Sequence, residues 1–113
     1  MMRKTYDAAR AEALIPLLRS ITREIQEREE AIDRLMAHAH ALELRTGRER
    51  ERSDVEARVA VHKREHRLAM RELERLGCVL DQDHPLRVLI PGEAPGAGGD
   101  YAWSPEHATI QAR

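Results

Sequence analysis

The chain has 113 residues and a formal net charge of -1, from 19 Lys and Arg against 20 Asp and Glu. The opposite charges are interspersed, so the composition indicates no basic surface for nucleic acid. Cys78 is the single cysteine, which excludes an internal disulfide and any zinc site built on several thiolates. These features predict one domain over 1–113, in a reducing compartment that we expect to be the cytoplasm.

The apolar segments are too short to cross a membrane. The longest unbroken apolar run, 13–18, contains Pro16 and is far shorter than the about 20 residues that a spanning helix needs. Residues 1–10 also lack the apolar core of a secretory signal. We therefore expect a soluble protein with neither a membrane nor a nucleic-acid partner.

A first apolar stripe predicts a helix over 7–45. Asp7 is suited to cap its first turn, and Tyr6 to pack beside that cap. Pro16 lies too deep for a first-turn proline and is expected to bend the helix near Glu12. The stripe has an average spacing of about 3.5 residues, typical of a coiled coil whose seam faces a partner helix. Its members are Leu14, Leu18, Ile21, Ile25, Arg28, Ile32, Leu35, Ala39 and Leu42.

A second stripe with the same spacing predicts a helix over 54–76. Ser53 and Glu56 have the spacing of a capping box, and Gly77 is suited to end the helix. The short charged segment between the two helices is predicted to be a turn, so the helices must lie antiparallel. The members of this stripe are Val55, Val59, His62, His66, Ala69, Leu73 and Leu76.

After Gly77 the pattern changes toward that of short strands, which predicts a small β region over 78–104. Strands are expected at 78–80, 86–90 and 101–104, with a flexible loop over 91–100. The tail, 105–113, has no clear signal and is expected to fray. The predicted fold class is mostly α: a long antiparallel two-helix hairpin with a small C-terminal antiparallel β-sheet, forming a helical bundle by self-association.

Two segments resemble landmarks of the domain of unknown function 2203 family, a family of uncharacterised bacterial proteins. Tyr6-Asp7 followed by Ala-Glu-Ala-Leu-Ile-Pro-Leu-Leu at 11–18 resembles the family's opening. Glu-Leu-Glu-Arg-Leu-Gly-Cys-Val-Leu at 72–80 resembles its exit from the second helix. The resemblance covers most of the chain and implies the fold, but it carries no established activity.

The C-terminal strands depart from that family's pattern. A Gly-Leu-Val-Asp-Phe-Pro-like strand corresponds here to Leu-Arg-Val-Leu-Ile-Pro at 86–91, so Leu89 stands at the acidic position. Ala102, before Trp103, stands where the pattern has cysteine, and the closing Trp-His pair is not found. If these polar positions form a site in the family, the resemblance implies that it is lost here.

Histidines interrupt the second stripe at its middle. His62, Glu65 and His66 follow the His-x-x-Glu-His order of the inverted zinc peptidases, in which two histidines bind zinc and the glutamate activates water. That chemistry also needs a third ligand, an open coordination position and a cleft, for which a lone hairpin has little room. A metal-dependent hydrolase is therefore the least favoured interpretation.

A zinc site without catalysis is an alternative. A turn centred near residue 49 places His62 opposite about Met36, with His38 within reach. Zinc could then be held by His38, His62 and His66, or by His62 and His66 from two copies. The favoured interpretation has no metal: both histidines reach water, a carboxylate such as Asp33, or a subunit interface.

Four other residues have structural interpretations. The stem of Arg28 is expected along the seam, with its guanidinium in solvent or paired with a glutamate. Cys78 is interpreted as a buried, inert thiol. Tyr101 and Trp103 face the same side of a strand and are expected to anchor the sheet on the helices.

Self-association follows from the apolar positions that remain outside the seams. Two helices alone bury one face each, and a second copy can cover more of them in a four-helix bundle. We therefore predict a non-enzymatic helical interaction or assembly module that forms homodimers and needs no cofactor.

Overall fold

The computed structural model describes residues 5–94 and 99–112, so residues 95–98 of the predicted loop over 91–100 lie outside the described part. The fold is mostly α with a small antiparallel sheet, which confirms the predicted class. Its elements are α1 (Ala8–Ala13), α2 (Ile15–Glu43), α3 (Glu49–Arg75), β1 (Val79–Leu80), β2 (Val88–Ile90), β3 (Tyr101–Trp103) and β4 (Gln111–Ala112).

The helix predicted over 7–45 is divided at Leu14. Asp7 caps α1 as predicted, because its carboxylate accepts a hydrogen bond of 2.8 Å from the backbone N–H of Arg10. The N–H of Leu14 donates to the carbonyl of Ala11, closing a tighter turn. Pro16 is then the second residue of α2, in the first turn, where helical N–H groups have no intrahelical acceptor. The expectation that Pro16 lies too deep for a first turn is therefore wrong.

The second long helix begins five residues earlier than predicted, at Glu49 rather than Asp54. Ser53 lies inside α3, so the predicted capping box with Glu56 does not form at this end. Glu49 and Glu51 instead supply negative charge to the first turn, where it interacts favourably with the helix dipole. The turn occupies 44–48 and is centred on residue 46, midway between Glu43 and Glu49.

The other end of α3 matches the prediction. Gly77 has a φ of 79°, in the left-handed region that glycine adopts without steric cost. Its N–H donates to the carbonyl of Glu74, and the N–H of Cys78 donates to the carbonyl of Leu73. This pair of bonds is the Schellman motif, which satisfies two of the last helical carbonyls.

Residue contacts divide the chain into two compact units. The hairpin unit, Glu24–Ala69, contains most of α2 and α3 with the turn between them. Its core cluster is formed by Leu35, Ala39, Leu42, Val55 and Val59, with Ile32 packed against it. The sheet unit, Met1–Arg23 with Met70–Arg113, contains α1, the remaining helix ends and the four strands.

The sheet is an antiparallel meander in the order β1-β2-β3-β4. Val88 pairs with Trp103 and Ile90 with Tyr101, and all four side chains are buried. The burial of both aromatic rings agrees with the expectation that they anchor the sheet.

The expected fraying of 105–113 is wrong for 105–112, because Gln111–Ala112 forms β4 against β3. Arg19 holds the preceding turn: its guanidinium donates to the carbonyls of Pro105 at 2.9 Å and His107 at 3.2 Å. The indole N–H of Trp103 donates to the same His107 carbonyl at 3.0 Å, and Arg19 lies 5.1 Å from the Trp103 ring centroid. The contacts of Arg19 join distant parts of the chain, so no local pattern indicates them.

Tyr6 joins α3 to the loop after β2 within the sheet unit. Its hydroxyl donates to the carbonyl of Leu76 at 2.7 Å, and its backbone forms a bridge with Gly92. A Cβ on Gly92 would lie 2.6 Å from the Tyr101 ring and 2.8 Å from the Tyr6 carbonyl oxygen, so only glycine fits there. Burial raises the pKa of Tyr6, and the neighbouring Cys78 raises it further.

We predict that Tyr6→Phe lowers the free energy of unfolding by about 1 kcal/mol at neutral pH, because it removes the hydrogen bond to Leu76. Since the pKa of folded Tyr6 lies above its ordinary value of 10.0, its contribution is complete below pH 10 and is lost as the pH rises through the folded pKa. Urea unfolding of both proteins from pH 7 to 11 tests this. A stability difference that stays constant over this range contradicts the prediction.

Leu86 has a strained backbone, because its φ of 59° places a non-glycine residue in the left-handed region. We predict that Leu86→Gly is more stable than Leu86→Ala by about 1 kcal/mol, since both remove the side chain and only alanine keeps the backbone strain. Urea unfolding of the two variants measures the difference. Equal stability, or greater stability of the alanine variant, contradicts it.

Candidate functional site

Polar side chains meet at the middle of the helical seam in the hairpin unit. An Nη1 atom of Arg28 lies 3.0 Å from Nδ1 of His62, and its Nε lies 2.7 Å from a carboxylate oxygen of Glu24. This confirms the interpretation of Arg28 as a seam residue whose guanidinium pairs with a glutamate. The pKa of Arg28 is raised, chiefly by the hydrogen bond to Glu24, and the charges of Glu65 and Glu27 add to it.

The contact between Arg28 and His62 determines which ring nitrogen of the imidazole accepts a hydrogen bond. A guanidinium is always protonated in proteins and can only donate, so Nδ1 of His62 must accept. This hydrogen bond requires the neutral tautomer that carries its proton on Nε2. A metal ion at Nδ1 of His62 would therefore have to displace Arg28.

His66 contacts the other helix as well. Its Nε2 lies 3.2 Å from a carboxylate oxygen of Glu29, in a pair whose side chains are 28% and 56% exposed. The prediction that a seam histidine contacts a carboxylate is confirmed for His66, but the carboxylate belongs to Glu29 rather than Asp33. Both histidines of the seam thus face α2, each with a charged partner there.

His38 is not brought to the other two histidines. His62 contacts Arg28 rather than a residue near Met36, because the turn is centred on residue 46 and not 49. His38 is exposed and lies ten residues from Arg28, which is about 15 Å along a helix. Within 5–94 and 99–112, no group of three or more His, Cys, Asp or Glu side chains is arranged to hold a metal ion. A zinc site made by His62 and His66 of two copies stays a prediction.

An open groove runs along one side of the hairpin unit, which we call the hairpin groove. It consists of two adjoining cavities of about 450 and 460 Å³ that share Lys63. The first cavity is lined by Glu29, Ile32, Asp33, Lys63, His66 and Arg67. The second is lined by Met36, Ala39, His40, Glu43, Glu56, Val59, Ala60 and Lys63. Buried apolar side chains form its inner part, and charged side chains flank them.

Sequence reasoning missed Glu29 and Lys63 as residues of a site. The sequence does indicate that these α2 residues share a face, because residues 29, 33, 36, 40 and 43 follow helical spacing beside the first stripe. Assigning their partners on α3 required the true position of the turn. Glu65, the proposed base of the peptidase motif, is half-buried and acts electrostatically on Arg28.

The two positions that depart from the family pattern are neighbours in the sheet. Leu89 on β2 pairs directly with Ala102 on β3. An acidic residue and a cysteine at these positions would lie side by side on one face of the sheet. In this chain both side chains are apolar.

A long helical hairpin combined with a four-stranded meander defines a mostly α class of protein. A family model described as "Uncharacterized conserved protein (DUF2203)" matches residues 4–112, so the chain belongs to this family and the resemblance is confirmed. No curated protein and no solved structure matches the chain significantly. Among the described residues, no helix combines the length and the apolar character that a membrane span requires.

We predict that the double substitution Arg28→Leu with His62→Leu raises the urea midpoint of unfolding, because it replaces polar groups on the seam by apolar residues. Urea unfolding measures the change. As a control, Arg34→Leu with Arg64→Leu places the same residues at exposed positions and should change stability by less than about 0.5 kcal/mol. A double variant at the seam that is less stable than the parent contradicts the prediction.

Proposed function

We propose that this protein is a non-enzymatic interaction module that self-associates through its hairpin unit. The observation that carries the proposal is the exposure of apolar side chains on this unit outside its single seam. Met36 is 50% exposed, Val61 57% and Leu68 41%. These side chains project from regular helices, where a partner helix can cover them.

The construction of the hairpin unit supports this proposal. Its core cluster is a single row of seam residues on each helix, so each helix buries one side within the chain. A second hairpin packed on the first would form a four-helix bundle, in which each helix gains a second covered side.

The charge of the chain also favours association between copies. The formal net charge is only -1, so two copies have little overall electrostatic repulsion. Charged residues of both signs lie on the hairpin unit, as in helix pairs that select their partner by charge. The proposal assigns no reaction and needs no cofactor.

We predict that the purified full chain has a mass of twice 12.9 kDa in light scattering, and that its thermal midpoint falls on dilution. Replacing Met36, Val61 and Leu68 together by glutamine should raise the dissociation constant by about 10-fold or more, since the interface loses the apolar area of whichever of these side chains it covers.

The control is Leu44→Gln, because Leu44 is 79% exposed in the turn and outside both helices. This variant should associate as the parent does. A chain that stays monomeric at every soluble concentration overturns the proposed function, and so does an unchanged dissociation constant in the triple variant.

A further inference from the structure

The hairpin groove combines an apolar inner surface with walls of different charge. Its inner part contains Ala39 and Val59 of the core cluster, and Met36 stands half-exposed beside them. Val61 and Leu68 line neither of its cavities. The groove thus combines a concave apolar surface with flanking charges.

The two walls differ in sign at the end away from the turn. On α2, this end carries the carboxylates of Glu29 and Asp33. On α3, it carries the cations of Lys63 and Arg67. Glu29 is also engaged by His66, whereas Asp33 belongs to the α2 wall without that contact.

Positions along the hairpin decide how a second copy can match these charges. Glu29 and Lys63 each lie seventeen residues from the centre of the turn at residue 46, so both are about 25 Å from it along their helices. A two-fold axis parallel to the helices preserves this height and places α2 of one copy over α3 of the other. Acidic and basic walls then meet at the same level.

The reversed arrangement lacks this match. A two-fold axis perpendicular to the helices, in the plane of the interface, places α2 over α2 of the other copy. The α2 wall also includes Glu43 near the turn, so Glu29 of one copy would face Glu43 of the other. On α3, Glu56 would face the end that carries Lys63 and Arg67, so the reversed arrangement matches charges on α3 but opposes carboxylates on α2.

We infer that the hairpin groove binds a second copy of this chain with its hairpin parallel, so that Glu29 and Asp33 of each copy face Lys63 and Arg67 of the other. This inference rests on the proposed self-association and specifies its surface and its direction. The exchange is symmetric, so each charge contact occurs twice in the dimer.

Reciprocal charge reversal in the full chain tests this arrangement. Asp33→Lys and Lys63→Glu each place like charges at two sites of their own homodimer, and each should raise the dissociation constant about 10- to 100-fold. In an equimolar mixture, the heterodimer has opposite charges at both sites. Its dissociation constant should return to within about threefold of the parent value.

Matched controls are Glu30→Lys and Arg64→Glu, which reverse the neighbouring charges and line neither cavity. They should associate as the parent does, and circular dichroism shows whether all four variants keep their helical content. Rescue in the mixture cannot come from restored folding, because each chain still carries its own substitution.

Four results would overturn the inference. Unchanged association of Asp33→Lys and Lys63→Glu would remove the groove as the interface, while self-association through another surface would stand. Tighter association of Asp33→Lys would indicate that α2 faces α2, and no rescue in the mixture would exclude the parallel pairing. A monomeric parent chain would overturn the proposed function as well.

Discussion

The turn at 44–48 determines which side chains meet in the hairpin unit. Because α2 and α3 are antiparallel, moving the centre of the turn by one residue moves the partner of every α3 residue by two positions on α2. With the centre at residue 46, His62 contacts Arg28 and His66 contacts Glu29. The hairpin groove depends on the same register, because its two walls come from different helices.

The polar contacts of the seam make this register specific. A purely apolar seam with regular spacing permits a shift of one helix by a heptad at little cost, because the new contacts are chemically alike. Such a shift would separate the Arg28 guanidinium from the His62 imidazole and place each of them opposite apolar side chains. We therefore interpret the pair as a device that selects the register of the hairpin at some expense of stability.

Some local signals were predictable from the sequence, whereas contacts between distant segments were not. Asp7 and Gly77 act through backbone groups within a few residues, and both were identified. The start of α3 was missed because Arg48–Arg52 was interpreted as a charged turn, although Glu and Arg favour helices. The stripe predicted that His62 and His66 face α2, but identifying their partners required the position of the turn. The ordered segment before β4 was not predicted, because it is held by Arg19, which is distant in the sequence.

The sheet and the hairpin differ in what they offer for recognition in this chain. Leu89 and Ala102 are paired on neighbouring strands, at the two positions that the resemblance relates to an acid and a thiol. With apolar side chains there, that pair has no proton to transfer and no anion to present. Arg19 is occupied by two backbone carbonyls and the Trp103 ring. Charged side chains around an accessible apolar surface occur instead at the hairpin groove, which makes α2 and α3 the elements where specific binding has a physical basis.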